Sequence, residues 1–279
     1  MDIYTKTSIA VSQRVTKNYS TSFYFAGLFF SKEVSQAIYS IYGFVRFADE
    51  IVDTFHQHNK EQLLNKFEND YHEAVRDRIS LNPILHSFQR VVHKYGIEEE
   101  LVTAFMNSMR QDLSKSSYAT SDELHDYIYG SADVVGLMCL KTFCNGDQQM
   151  YQWLKEPAQR LGAAFQKVNF LRDLKDDMDN LGRCYFVNID GSTIQEDQRL
   201  EIIADIESDF RQAAEGIKQL PQEARLAVFV AYLYYKELLR KIQKSSINKM
   251  MQQRIRISNS RKVYLIVKAY ILMKFNIIK

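Results

Sequence analysis

A chain of 279 residues that is 46% hydrophobic can bury a large core, and its 3 prolines and 10 glycines are too few to break it into many short elements. The 36 basic and 34 acidic residues nearly cancel, and no basic run interleaved with aromatics marks a nucleic-acid surface. Cys139, Cys144 and Cys184 are odd in number and lack C-x-x-C spacing, which argues against a disulfide framework or a zinc site. Reduced thiols, and an N-terminus (Met1 to Lys6) without a signal-like apolar run, point to a cytoplasmic protein.

Helical periodicity dominates the chain from its N-terminal third onward. Val34, Ile38, Ile41, Tyr42, Val45 and Val52 recur at three- and four-residue steps, and Leu63, Leu64, Phe67, Tyr71, Ala74 and Val75 form a second stripe. Asn82-Pro83 opens a third helix and Gly96 ends it. Further helices fit residues 98–113, 121–143, 148–178, 197–218 and 221–245, and the clearest loop runs from Asn188 to Ser192. Strand alternation, internal repeats and linkers are absent. The pattern predicts an all-α protein with one domain over residues 1–253, followed by a basic, apolar tail over 254–279.

Two polar stripes interrupt apolar helices. At 100° per residue Tyr42, Arg46, Asp49 and Asp53 share a sector of roughly 60°, and Gln166, Asn169, Asp173 and Asp177 share a second, with Arg172 beside it. Two carboxylates one turn apart repel each other, and burial strengthens the repulsion. A divalent cation reverses the sign. Magnesium takes one or two carboxylates and completes its octahedron with water and phosphate oxygens, so two such helices could grip diphosphates through metal. Arg46 and Arg172 could add bidentate contacts to phosphate. The plainer reading, two solvated faces of amphipathic helices, suits either stripe alone better than it suits both together.

The residues resemble the phytoene/squalene synthase family. Arg46-Phe47-Ala48-Asp49-Glu50-Ile51-Val52-Asp53 resembles its first aspartate motif, and Gln166 to Asp173 followed by Asp177 resembles its second. In order with these, Tyr19-Ser20-Thr21-Ser22-Phe23 resembles the N-terminal segment that closes over a diphosphate. Tyr129-Gly130-Ser131-Ala132-Asp133-Val134-Val135-Gly136 resembles a stretch lining the reaction cavity, and Gly182-Arg183-Cys184-Tyr185 the segment after the second motif. The resemblance extends over residues 18–240 and is similar in detail to bacterial phytoene synthases.

That resemblance implies a single-domain all-α isoprenoid-synthase bundle with a central cavity. It implies that Asp49, Asp53, Asp173 and Asp177 bind Mg2+ (or Mn2+). Ser20, Ser22, Tyr42, Arg46, Gln166, Asn169, Arg172 and Arg183 would contact diphosphate, and Tyr129 and Tyr185 would face a carbocation. Ser20 and Ser22 also suit helix capping, and both tyrosines also suit core packing. Where some members carry a C-terminal tyrosine near the diphosphates, this chain has Ile247 in the matching register. The implied reaction joins two geranylgeranyl diphosphates head to head to phytoene through a cyclopropyl diphosphate, in carotenoid biosynthesis, with no NADPH expected. The alternatives are a squalene or dehydrosqualene synthase acting on farnesyl diphosphate and, remotely, a non-catalytic assembly protein on the same fold. Small residues at Ala26, Gly27, Ala163 and Ala164 favour the longer substrate.

The tail carries Arg254, Arg256, Arg261, Lys262, Lys268 and Lys274 among apolar residues. Lys268 and Lys274 interrupt the run, so it is too polar to span a bilayer. It fits either a packed helix or a peripheral contact with the inner membrane face. The lack of an anchored C-terminal region of the squalene-synthase kind leans toward the phytoene-like branch.

Overall fold

The computed structural model describes residues 1–187 and 194–275, so the loop expected from Asn188 to Ser192 lies outside them. Helices account for most of the described residues: α1 (Ile3–Tyr19), α2 (Thr21–Gly27), α3 (Lys32–Thr54), α4 (Lys60–Asp77), α5 (Pro83–Tyr95), α6 (Glu99–Gln111), α7 (Ser121–Ile128), α8 (Val134–Cys144), α9 (Gln148–Asn180), α10 (Glu196–Gln219), α11 (Gln222–Gln243), α12 (Ile247–Met250) and α13 (Asn259–Lys274). One π-helical turn, Tyr129–Asp133, joins α7 to α8. Among the described residues the only β pairing is an isolated bridge between Ser117 and Cys184.

Local chemistry sets many of the helix ends. The side chains of Ser31, Asn59, Thr120 and Asp147 accept hydrogen bonds from the backbone N–H groups that α3, α4, α7 and α9 leave free at their starts. Pro83 stands in the first turn of α5, and Gly96 closes it at φ 60°. Pro157 sits inside α9, where it removes one backbone hydrogen bond from a helix about 50 Å long. Gly216 lets α10 pass against that proline: a Cβ there would stand 2.3 Å from the proline Cβ.

Two apolar cores flank a cavity. The first centres on Phe44, which stacks on Phe88 at 4.1 Å and is ringed by Phe67, Tyr71 and Phe105. The second gathers Phe170, Leu171, Ile206, Phe210 and Leu238 from α9, α10 and α11. α1 packs on α3 and α5 through an inner face of Thr5, Ser8, Ser12 and Thr16, all buried. Their hydroxyls are satisfied locally or across the interface, Ser12 with Ser87 at 2.7 Å and Thr5 with His86 at 3.1 Å.

The segment expected as one helix over 121–143 is helical throughout, but the π turn divides it. There Gly130 lies against α6: a Cβ would meet the Ser108 hydroxyl at 2.0 Å and the Ala104 carbonyl at 2.6 Å. Gly130→Ala is therefore expected to destabilise the protein by about 1–3 kcal/mol through overpacking, read as a lowered urea midpoint at unchanged m-value. An unshifted midpoint would show that α6 yields at no cost.

Candidate active site

A cavity of about 1030 Å³ has an apolar body and a polar mouth. α3 brings Tyr42, Arg46, Asp49 and Asp53 to the mouth, and α9 brings Gln166, Asn169, Arg172, Asp173 and Asp177. Ser20 and Ser22, Arg183 and Tyr185 complete it. The two stripes feel each other across the cleft. Partial burial, then Asp173 on its own helix and Asp53 on the facing one, push the Asp177 carboxyl up to about 8. Desolvation and Asp53 push Asp49 up to about 7.

Arginines pair with three of the four stripe aspartates. Arg46 pairs with Asp49 and Glu50 and lies over the Tyr19 ring at 4.3 Å. Arg172 donates from Nε to Asp173 at 2.9 Å, and Arg254 reaches the same carboxylate at 2.7 Å. Arg183 Nη1 donates to Asp53 at 2.8 Å. Asp177 has no ion pair among the described residues.

Several predicted residues have structural roles as well. Ser20 caps α2, accepting from the Phe23 N–H at 3.3 Å. Burial pushes the nearby Tyr42 hydroxyl up to about 12. Tyr42 stacks on Phe23 at 5.0 Å. Asn169 accepts from the Tyr235 hydroxyl at 3.2 Å, and Gln166 accepts from the Asn169 amide at 3.5 Å. Tyr185 stacks on Phe170 at 4.0 Å and stands 5.5 Å from Tyr127.

Tyr129 is the one predicted residue placed elsewhere. It begins the π turn and packs, half-buried, against the first core, outside the cavity lining. Tyr127, two residues earlier, supplies the cavity ring instead, and its hydroxyl donates to Asp112 at 2.9 Å. Ile247 packs on the second core, and toward the C-terminal end of the chain Tyr234 and Tyr235 of α11 bring tyrosines to the cavity. Of the four small residues expected at the wall, only Ala26 lines it. Gly27 faces Tyr39, and Ala163 and Ala164 are buried in the second core. Other small wall positions include Ala132, Gly136, Ala158, Gly162, Ala213 and Gly216. Asp112, Tyr127 and Arg254 were not singled out as site residues from sequence. Asp112 stands alone in a polar segment with no motif around it, and Arg254 reaches the cleft only because the strap after α12 folds back over α9.

The residues fit a divalent cation. Among the described residues no three acidic, histidine or cysteine side chains stand close enough to enclose an ion alone. Each helix instead offers two carboxylates at the mouth of a cleft, a donor set that suits a hard ion whose remaining ligands are water or phosphate.

A profile of the squalene/phytoene synthase family matches residues 16–188. A chloroplast phytoene synthase of Zea mays is 27% identical over 275 residues, covering 92% of this chain, which spans 64% of that protein's length. The phytoene synthase of Arthrospira platensis is 26% identical over 271 residues, covering 88% of this chain and 87% of its own. A ligand-bound dehydrosqualene synthase superposes with a TM-score of 0.84 at 22% identity, covering 97% of this chain and 98% of that one. A squalene synthase from Alicyclobacillus acidocaldarius gives 0.75 at 19% identity, covering 88% and 96%. The structural likeness establishes the all-α isoprenoid-synthase fold, and with the profile covering more than half its residues, this chain belongs to the squalene/phytoene synthase family.

Proposed function

We propose that the chain is a prenyltransferase that condenses two geranylgeranyl diphosphates head to head to phytoene through a cyclopropyl diphosphate, releasing two diphosphates. The observation that carries this reading is the pair of facing aspartate stripes at the polar mouth of an apolar cavity of about 1030 Å³. Asp49, Asp53, Asp173 and Asp177 would hold Mg2+ or Mn2+, which when bound supplies Lewis-acid neutralisation of the leaving diphosphates. Arg46 and Arg172 offer fork-shaped donors to phosphate oxygens, and Ser20, Ser22, Gln166 and Asn169 offer neutral ones. The prenyl chains lie in the apolar body, where water is excluded from reactive cations. Phe170, Tyr127 and Tyr185 present ring faces beside the stripes, suited to positive charge.

Small side chains along the cavity wall, and relatives named as phytoene synthases, favour the twenty-carbon substrate. The test is a competition between geranylgeranyl and farnesyl diphosphates, with and without NADPH, read by product mass. A forty-carbon product without NADPH is expected, with a minor thirty-carbon one, since each methylene in an apolar pocket is worth only about 1–3 kcal/mol. A dominant thirty-carbon product, or dependence on NADPH, would favour the farnesyl reading.

The tail supports a peripheral membrane contact in a cytoplasmic enzyme. α13 packs on α11 through Leu265 and Ala269, while Val263, Tyr264, Val267, Tyr270 and Ile271 face outward with Lys268 and Lys274. No helix among the described residues is long and apolar enough to cross a membrane. Binding to vesicles rich in anionic lipid is expected and should weaken as salt rises. Equal, negligible recovery at low and high salt would leave α13 as a packed helix only.

A further inference from the structure

Arg183 is buried between two carboxylates. Its side chain is 8% exposed, that of Asp112 3% and that of Asp53 24%. Nη1 donates to Asp53 at 2.8 Å and lies 3.7 Å from Asp112 Oδ1, while Nη2 donates to the Asp112 carbonyl at 2.8 Å. The backbone is fixed as well. The Arg183 N–H donates to the Asp177 carbonyl at 2.9 Å, and the Cys184 N–H to the Ser116 carbonyl at 2.8 Å. The Asp112 carboxylate is held in turn by the Tyr127 hydroxyl, 2.9 and 3.1 Å from its two oxygens.

Nothing in the helix calls for an acid at position 112. Asp112 is the C-cap of α6, the negative end of the helix dipole, where a carboxylate is disfavoured. Its partner is therefore the guanidinium. When Asp53 turns its charge to a metal ion, Arg183 would be a buried cation beside another cation unless a second carboxylate stays with it. We propose that Asp112 is a positioning residue for the aspartate cradle: it serves as the permanent counter-ion of Arg183, so that Asp53 is free to bind metal while Arg183 remains in place. The role rests on the metal-binding reading of Asp53.

The test uses the full chain and Mn2+ alone, followed by the electron paramagnetic resonance signal of the free ion. Asp112→Asn keeps the shape and an acceptor for Tyr127, and should weaken Mn2+ binding by about tenfold without lowering the melting temperature of the metal-free protein. Added to Arg183→Gln, which removes the cation, the same change should cost nothing further. If Arg183→Gln does not fold, Arg183→Lys takes its place, and there the tenfold loss should persist because the cation persists. Unaltered Mn2+ binding in Asp112→Asn, or an equal loss with and without the cation at position 183, overturns the role. Asp53→Asn separates the layers. If wild type binds no Mn2+, or Asp53→Asn binds it unchanged, the metal reading fails and this role with it. Binding that needs Asp53 but not Asp112 overturns the positioning role alone.

Discussion

Asp177→Asn is expected to cut turnover by about a thousandfold, the scale of losing one preorganised charge at a reacting centre, while leaving the protein as stable as before or slightly more so. Asp177 has no ion pair to lose, and its carboxyl is already pushed up to about 8 by partial burial and by Asp173 and Asp53. Neutralising it removes repulsion. Asp173→Asn should be equally inactive but less stable, because it strips the carboxylate from between Arg172 and Arg254. Turnover and thermal melting measured together on both variants check the pair. A lowered melting point in Asp177→Asn would mark that aspartate as structural.

Chelation should stop turnover completely, and Mg2+ or Mn2+ should restore it. The same ions should raise the melting temperature most at alkaline pH. In the metal-free protein Asp49, Asp133 and Asp177 hold their protons to between about 7 and about 8, each chiefly through desolvation. In the unfolded chain they ionise near 3.8. The folded state then binds more protons than the unfolded one between these limits, so its stability is lost as pH rises from about 4 to about 8. Melting curves across that range, with and without Mg2+, test the sign: the metal-free curve should fall and the magnesium curve should stay flatter. Undiminished turnover in chelator would remove the metal from the mechanism.

Much of this was legible in the sequence because it is periodic. The α3 and α9 stripes place carboxylates on apolar helices, and the three-to-four-residue spacing fixes that they share a face. Asn82-Pro83 and Gly96 bound α5 by backbone chemistry that tertiary contacts do not override. What the sequence hid was aperiodic. α1 buries hydroxyls, so hydrophobic spacing gives it no signal. The π turn changes the hydrogen-bond step from four residues to five, so side chains on either side of it do not stay in one helical phase. Tyr127 faces the cavity while Tyr129 faces the first core because residues two apart on a helix stand about 200° apart. Asp112 and Arg254 join the site through contacts 71 and 81 residues apart along the chain, which no local pattern encodes.

The hydroxyl face of α1 also bears on how the flank of the cavity mouth is attached to the bundle. An apolar seam would have to expose oily surface to part, but Ser8, Ser12 and Thr16 can exchange their protein partners for water at little cost. α1 runs directly into Ser20, so its last turn and α2 form one flank of the cavity mouth. The N-terminal arm is thus joined to the bundle through a polar seam, whereas the aspartate helices pack on apolar cores. Its amides should exchange with deuterium well before those of α3.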